Sequence, residues 1–313
     1  MSRWPVLDYA AWRDTATTLQ LWSQVVGKVS VALAPWLNHG WHVALHVDAH
    51  GYGTGPLPTP DGVVEIGFDF VRQRLVLRSS EGPDRGFALE PMPVAAFYRK
   101  LLDELAAADV AVRIVPVPNE VPDPIPFPED RTHRTYDPAA AHAFWRALLQ
   151  VDRVFRRFRT SFLGKASPVH LWWGSFDHAV TRFSGRAAPP HPGGVPGLPD
   201  AITREAYSHE VSSAGFWPGS ASWPEAAFYS YAYPSPPGFE TARIEPAEAR
   251  WVAALGEWIL PYEAVRSAAD PEAMLMRFLE STYRAAATLG GWDRGLECAV
   301  GEPARPRAVS GSG

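Results

Sequence analysis

The sequence predicts an α+β protein made of two tandem related units, each a helix, antiparallel strands and a second helix, packed about a pseudo-twofold axis. Three observations predict it. Leu19, Trp22, Val26, Val29 and Leu33 form an apolar helical stripe, and Leu148, Val151, Phe155, Phe158 and Phe162 repeat its spacing. Each stripe runs through a break into an extended segment with one early histidine, His42 or His170. Each unit then closes on a proline-opened helix, at Pro93 and at Asp270-Pro271. Helices kept to one face of antiparallel strands give an α+β architecture.

Taken in order, Asp14-Thr15 reads as a helix start and Pro35 as its end. Residues 41–48 alternate and read as a strand, with His42, His46 and Asp48 on its polar face. Segments 63–70 and 74–79 read as a hairpin, residues from Pro93 as a helix on Phe97, Leu101 and Leu105, and Val112–Val115 as a short strand. Residues 116–128 hold six prolines, which fix φ and lack an amide hydrogen, so this stretch is a connector. Asp137-Pro138 caps the next helix. Strands follow near 168–174, 177–183, 205–213 and 227–233, then a helical segment near 246–266 and a helix over 271–288 stopped by Gly290-Gly291. The boundaries are a first repeat over 1–118, a Pro-rich connector over 119–136, a second repeat over 137–297 and a disordered tail over 298–313. The inserted loop 185–200 reads as a lid over a pocket mouth, with His191 facing inward.

Hydrophobic residues make up 46% of the 313 residues and charged ones 20%, a globular balance. A net charge of -5 argues against a nucleic-acid partner. The absence of a long apolar run argues against a membrane, so a cytoplasmic protein is expected, of open oligomeric state. The single cysteine, Cys298, excludes an intramolecular disulfide and a cysteine zinc site. Thirteen tryptophans supply flat apolar area for a core or for stacking on a planar ligand.

No motif names a reaction. Ser175 and Ser184 lack a nucleophile-elbow pattern, and Gly51-Tyr52-Gly53-Thr54-Gly55 is followed by proline rather than a helix. The strand at His170 has little polar alternation, so its histidine needs a partner. If the axis brings the strands together, His42, His170 and His209 form an imidazole cluster, with Glu210 or Asp69 as the acid, suited to a divalent transition metal. Unrelated core histidines are the competing reading.

The strings Trp4-Pro5, Asn38-His39-Gly40-Trp41-His42, Ser167-Pro168-Val169-His170, Trp173-Gly174-Ser175-Phe176-Asp177, Thr181-Arg182-Phe183-Ser184-Gly185-Arg186 and Ser208-His209-Glu210-Val211-Ser212-Ser213 resemble a bacterial family known as a domain of unknown function. The resemblance covers roughly residues 4–295 and implies no activity. It implies that His42, His170, His191, His209 and Glu210 match the family pattern, whereas His46 and His178 stand where other residue types occur.

The first functional expectation is an enzyme acting on a small molecule in a polar pocket between the repeats. His42, His170 and His209 would be metal ligands, Glu210 the acid/base, Arg182 the substrate anchor and Asp177 a further catalytic carboxylate. The second is a non-catalytic binding module in which Trp172, Trp217 and His191 hold a planar ligand. The third is a scaffold or partner subunit with the Pro-rich loops as contacts.

Overall fold

In the computed structural model, which describes residues 3–299, helix α1 (Tyr9–Leu33) begins before the expected start because Asp8 is its cap, accepting from the Ala10 amide. Pro35 disfavours helical geometry at Ala34 and ends it.

The expected strand over 41–48 is corrected. Residues Asn38–Val43 form a 3-10 turn, and only His46–Val47 are strand, β1. His39 and Gly40, just before the expected strand, both lie in the left-handed region, with φ of 59° and 68°, and the turn they belong to runs on through Val43. The His42 ring closes the turn locally, its Nδ1 accepting from the Leu37 amide at 3.2 Å. Strict alternation imitated a strand where consecutive left-handed residues made a turn.

Strands β2 (Gly51–Gly53), β3 (Leu57–Pro58), β4 (Val63–Asp69), β5 (Arg74–Ser79) and β6 (Gly82–Ala88) follow. The β4–β5 hairpin stands where the sequence put it. Helix α2 (Val94–Ala107) comes next, but residues 112–115 are irregular rather than strand. Helix α3 (Pro138–Arg159) starts at Asp137, whose carboxylate accepts from the Ala139 and Ala140 amides.

The remaining elements are β7 (His170–Trp172), β8 (Asp177–Ala187), α4 (Asp200–Ala206), β9 (His209–Trp217), β10 (Ala227–Tyr233), β11 (Arg250–Val252), β12 (Glu257–Pro261), α5 (Tyr262–Ser267) and α6 (Pro271–Leu289). Two further expectations are corrected here. The strand placed at 205–213 lies at His209–Trp217, because α4 occupies the preceding residues. The segment 246–266 is mainly the hairpin β11–β12, and only its end is helix. Gly256, at φ 69°, makes the hairpin turn that an apolar helical spacing concealed.

Two antiparallel sheets result, ordered β1-β2-β4-β5-β6, with β3 beside β4, and β7-β8-β9-β10-β12-β11. Their edges meet at Leu45 and Leu171, which exchange reciprocal backbone bonds of 2.9 and 2.8 Å. One apolar core spans both sheets under the helices. It includes the stacked Trp22–Phe97 pair between α1 and α2 and Phe155 of α3 against Phe228 of β10. Among the described residues no helix is long and apolar enough to cross a membrane. The expected tail lies, from residue 300 on, outside the described residues.

Candidate functional site

The second sheet has two unlike faces. The row Leu171, His178, Phe216, Phe228 and Leu260 pairs strand to strand and faces the helices, where His178 stacks on Phe155 and Phe228 lies tilted against Tyr262. Side chains alternate across a strand, so the intervening rows project from the opposite face. That face carries Trp172, Asp177, Thr181, Ser213, Trp217, Tyr229, Tyr231 and Glu257. It has its own small cluster, in which Tyr229, Ala227 and Ile259 are packed by Trp217, Trp223 and Tyr231.

Asp177 is its centre. It is 4% exposed and accepts hydrogen bonds from the Ser175 and Tyr229 hydroxyls. Tyr229 reaches it by lying across Gly215 of the intervening strand, where a Cβ would overlap the phenol ring. The ring of Trp217 lies 4.5 Å from that of Tyr229. The Tyr231 and Tyr207 hydroxyls are bonded at 2.9 Å, and the Thr181 and Ser213 hydroxyls at 2.8 Å.

Two glutamates complete the face. Glu120 comes from the Pro-rich connector with φ 55°, a left-handed backbone uncommon outside glycine. Its carboxylate sits against Gly174 and its amide against Gly197, and a Cβ at either glycine would collide with it. Helix α1 fixes this stretch. Gln24 donates to the Asn119 carbonyl at 2.9 Å and accepts from the Asn119 amide at 2.7 Å, while Lys28 donates to Asn119 Oδ1 at 2.5 Å and Gln20 to the Gly174 carbonyl at 2.6 Å. Glu257, at the start of β12, has a buried Oε2 with no hydrogen-bond partner among the described residues.

Burial, reinforced by the Asp177 charge, pushes the Glu120 carboxyl up to about 7 and that of Glu257 up to about 8. Burial raises Asp177 as well, against the hydrogen bonds from Ser175 and Tyr229 that favour its charged form. No lysine or arginine among the described residues pairs with any of the three, although many other acids here have an arginine partner. Such an arrangement can hold protons at neutral pH and release them to a base, or ionise around a cation.

The loop after β8 borders this face. The His191 ring stacks on Tyr207 at 4.9 Å and lies 5.1 Å from Tyr233, with Nδ1 accepting from the Gly193 amide. The Gly197 carbonyl accepts from the Glu120 amide and from Asn119 Nδ2, both at 3.2 Å, tying loop to connector.

Of the residues singled out in the sequence, Asp177, Trp172 and Trp217 share this face, and His191 stacks at its border. Trp172 stands toward the turn, edge-on to His170 at 4.5 Å. The others lie elsewhere. Arg182, 2% exposed, is in the core and not at an open surface. Its guanidinium lies 3.5 Å from the Phe158 ring and 4.3 Å from that of Tyr283, and it donates to the Phe158 carbonyl and Ser161 Oγ. Aromatic faces and the carbonyl end of α3 hold this cation, and burial lowers it to about 10. Glu210 accepts from Ser184 Oγ and from Arg186, whose guanidinium also donates to the Gly290 and Gly291 carbonyls after α6. It is a tie between β9 and the end of α6. Asp69 organises the β4–β5 turn. Burial alone would raise its carboxyl, but bonds from the Arg72 and Val71 amides and the Arg72 guanidinium bring it below the usual value.

The three histidines expected to converge on a metal do not. Among the described residues no three His, Cys, Asp or Glu side chains are grouped to hold a metal ion. His42 closes its own turn. His209 contacts Ser208 Oγ at 3.0 Å and lies edge-on to His39. His170 is buried and lowered to about 3 by desolvation, then by His178 and His46, and its Nδ1 has no partner among the described residues. The convergence rested on His42 being on a strand, and the turn at His39-Gly40 removes that premise.

Glu120, Tyr229, Glu257, Tyr207 and Tyr231 were missed. Glu120 lay in a segment read only as a connector, and nothing in the sequence shows that it faces Gly174 and Gly197. The alternation Ala227, Tyr229, Tyr231, Tyr233 in a correctly read strand already signalled a tyrosine-lined face.

Residues 4–298 match a family of unknown function (DUF5996), and the chain belongs to it. No curated protein and no solved structure matches the chain.

Proposed function

We propose that the acid–tyrosine face of the second sheet binds a small molecule carrying a cationic nitrogen, and that Glu120 and Glu257 exchange protons with it. The observation that carries this is the set Glu120, Asp177 and Glu257, three largely buried carboxyl groups with no lysine or arginine paired to them among the described residues. Buried carboxylates are normally paired, and a bound cation would offset the cost of ionising them. Trp217, Tyr229, Tyr231 and Tyr207 add ring faces and edges of the kind that enclose ammonium groups.

An enzymatic role is the second reading, favoured by Glu120. A carboxyl near 7 on a residue held at φ 55° is poised to take and return a proton at neutral pH. In this reading the 188–199 loop closes over the ligand, and Asp177 fixes the Tyr229 hydroxyl as a donor. We also read the two sheets as copies of one unit. Both are antiparallel sheets with a helix before and after, and the reciprocal Leu45–Leu171 pair sits where their first strands meet.

Calorimetric titration with benzylamine and its neutral counterpart benzyl alcohol tests the binding reading. Benzylamine is expected to bind more tightly, with a heat that varies with the buffer because protons leave Glu120 and Glu257. Glu120→Gln combined with Glu257→Gln should remove that buffer dependence. Equal binding of amine and alcohol, or amine binding untouched by the double substitution, sinks the proposal.

A further inference from the structure

A second concave region lies on the far side of the sheet, against α6. One stripe of that helix, Arg277, Glu280, Ser281, Arg284 and Thr288, forms its floor. The segment from Gly238 to Glu245 forms its wall and is fastened by Ser281, whose Oγ accepts from the Glu245 amide at 3.1 Å and donates to the Glu245 carbonyl at 3.0 Å. The cavity measures about 630 Å³, within the range of small-molecule sites.

Arg277 and Arg284 are two helical turns apart on the same stripe, and Arg243 faces them from the wall. No hydrogen bond or ion pair ties any of the three to a described residue, although the carboxylates of Glu245 and Glu280 line the same cavity. Glu280 instead bears on the buried Arg182 beneath, whose charged form it favours. A protein of net charge -5 thus gathers three unengaged guanidinium groups around one cavity. Guanidinium forks match the paired oxygens of phosphate, and several together select a multiply charged anion over a single carboxylate.

We propose that this groove binds a phosphate-bearing small molecule, with Arg243, Arg277 and Arg284 on the phosphate and Glu245 or Glu280 accepting from its hydroxyl groups. The site shares no residue with the acid–tyrosine face, so either can exist without the other.

The test is calorimetric titration of the full chain with pyrophosphate as probe, in dilute chloride buffer, with citrate as a carboxylate anion of comparable charge. Saturable pyrophosphate binding is expected, at least tenfold tighter than citrate. It should weaken at least tenfold in Arg277→Gln/Arg284→Gln and be unchanged in Arg113→Gln, an exposed arginine outside the cavity lining. The substituted arginines are exposed, and an unchanged unfolding midpoint would show that the variant is folded. No saturable binding, citrate equal to pyrophosphate, or full binding in the folded double variant overturns the proposal.

Discussion

Glu257→Gln should make the protein more stable at alkaline pH and leave it nearly unchanged in mild acid. Burial raises the Glu257 carboxyl from 4.5 to about 8, so the folded protein holds a proton that the unfolded chain releases. Stability therefore falls as pH rises from about 4.5, and the loss is complete above about 8. Each pH unit between the two values is worth about 1.4 kcal/mol, so the full displacement corresponds to about 5 kcal/mol. Glu257 retains some solvent contact, and local relaxation reduces this to about 2–4 kcal/mol. Glutamine keeps the shape and carries no charge. Urea unfolding followed by tryptophan fluorescence at pH 5, 7 and 9 reads the difference. The variant should gain about 2–4 kcal/mol over the parent at pH 9 and differ by under about 1 kcal/mol at pH 5. A difference of constant size across that range would refute the reasoning, because it would mean the carboxyl is not held protonated by the fold.

Gly215→Ala should cost about 1–3 kcal/mol from overpacking, since its Cβ displaces the Tyr229 ring and with it the donor to Asp177. Combined with Tyr229→Phe, the urea-unfolding losses should fall short of their sum, because both remove the same hydrogen bond. Gln24→Ala removes both bonds to the Asn119 backbone. It should accelerate amide exchange at Asn119 and Glu120, weaken benzylamine binding several-fold and cost about 1–3 kcal/mol of global stability, since Gln24 is fully buried; unaltered exchange at those amides would show that Gln24 does not hold the connector.

What was legible in the sequence follows from where local signals coincide with tertiary ones. The hairpin at 63–79 and the strand at 227–233 combine β-rich composition with turn residues, and both stand where expected. Asp137-Pro138 and Asp270-Pro271 are caps whose hydrogen bonds are local, so spacing alone finds them. Two of the failures have a common cause in left-handed residues. His39-Gly40 breaks the supposed strand at His42, and Gly256 turns a supposed helix into a hairpin. The site was half legible. Asp177, Trp172 and Trp217 share a face through the register of β7, β8 and β9, and spacing within one strand constrains that weakly. Glu120 and Glu257 come from segments remote in sequence, so only the assembled sheet places them near Asp177.

The position of these acids also bears on why their cost is tolerated. The helices cover one face of the second sheet, where even the cation of Arg182 is held by rings and a carbonyl rather than by an acid. The other face is bordered by a loop and a connector that meet at Gly197, both built from proline and glycine rather than from a helix with a packed apolar stripe. A helix there would have needed apolar partners where Asp177, Glu120 and Glu257 now stand. Backbone-rich covers supply hydrogen bonds and little apolar surface, which leaves the carboxyl groups desolvated but unpaired. Ala, Leu or Tyr at these positions would pack against Trp217 and Tyr229 with less strain, since each buried carboxyl destabilises the folded chain as it ionises. Three acids kept in that state on one face, one of them a glutamate held at φ 55°, are therefore better explained by what the face takes up than by the stability of the fold.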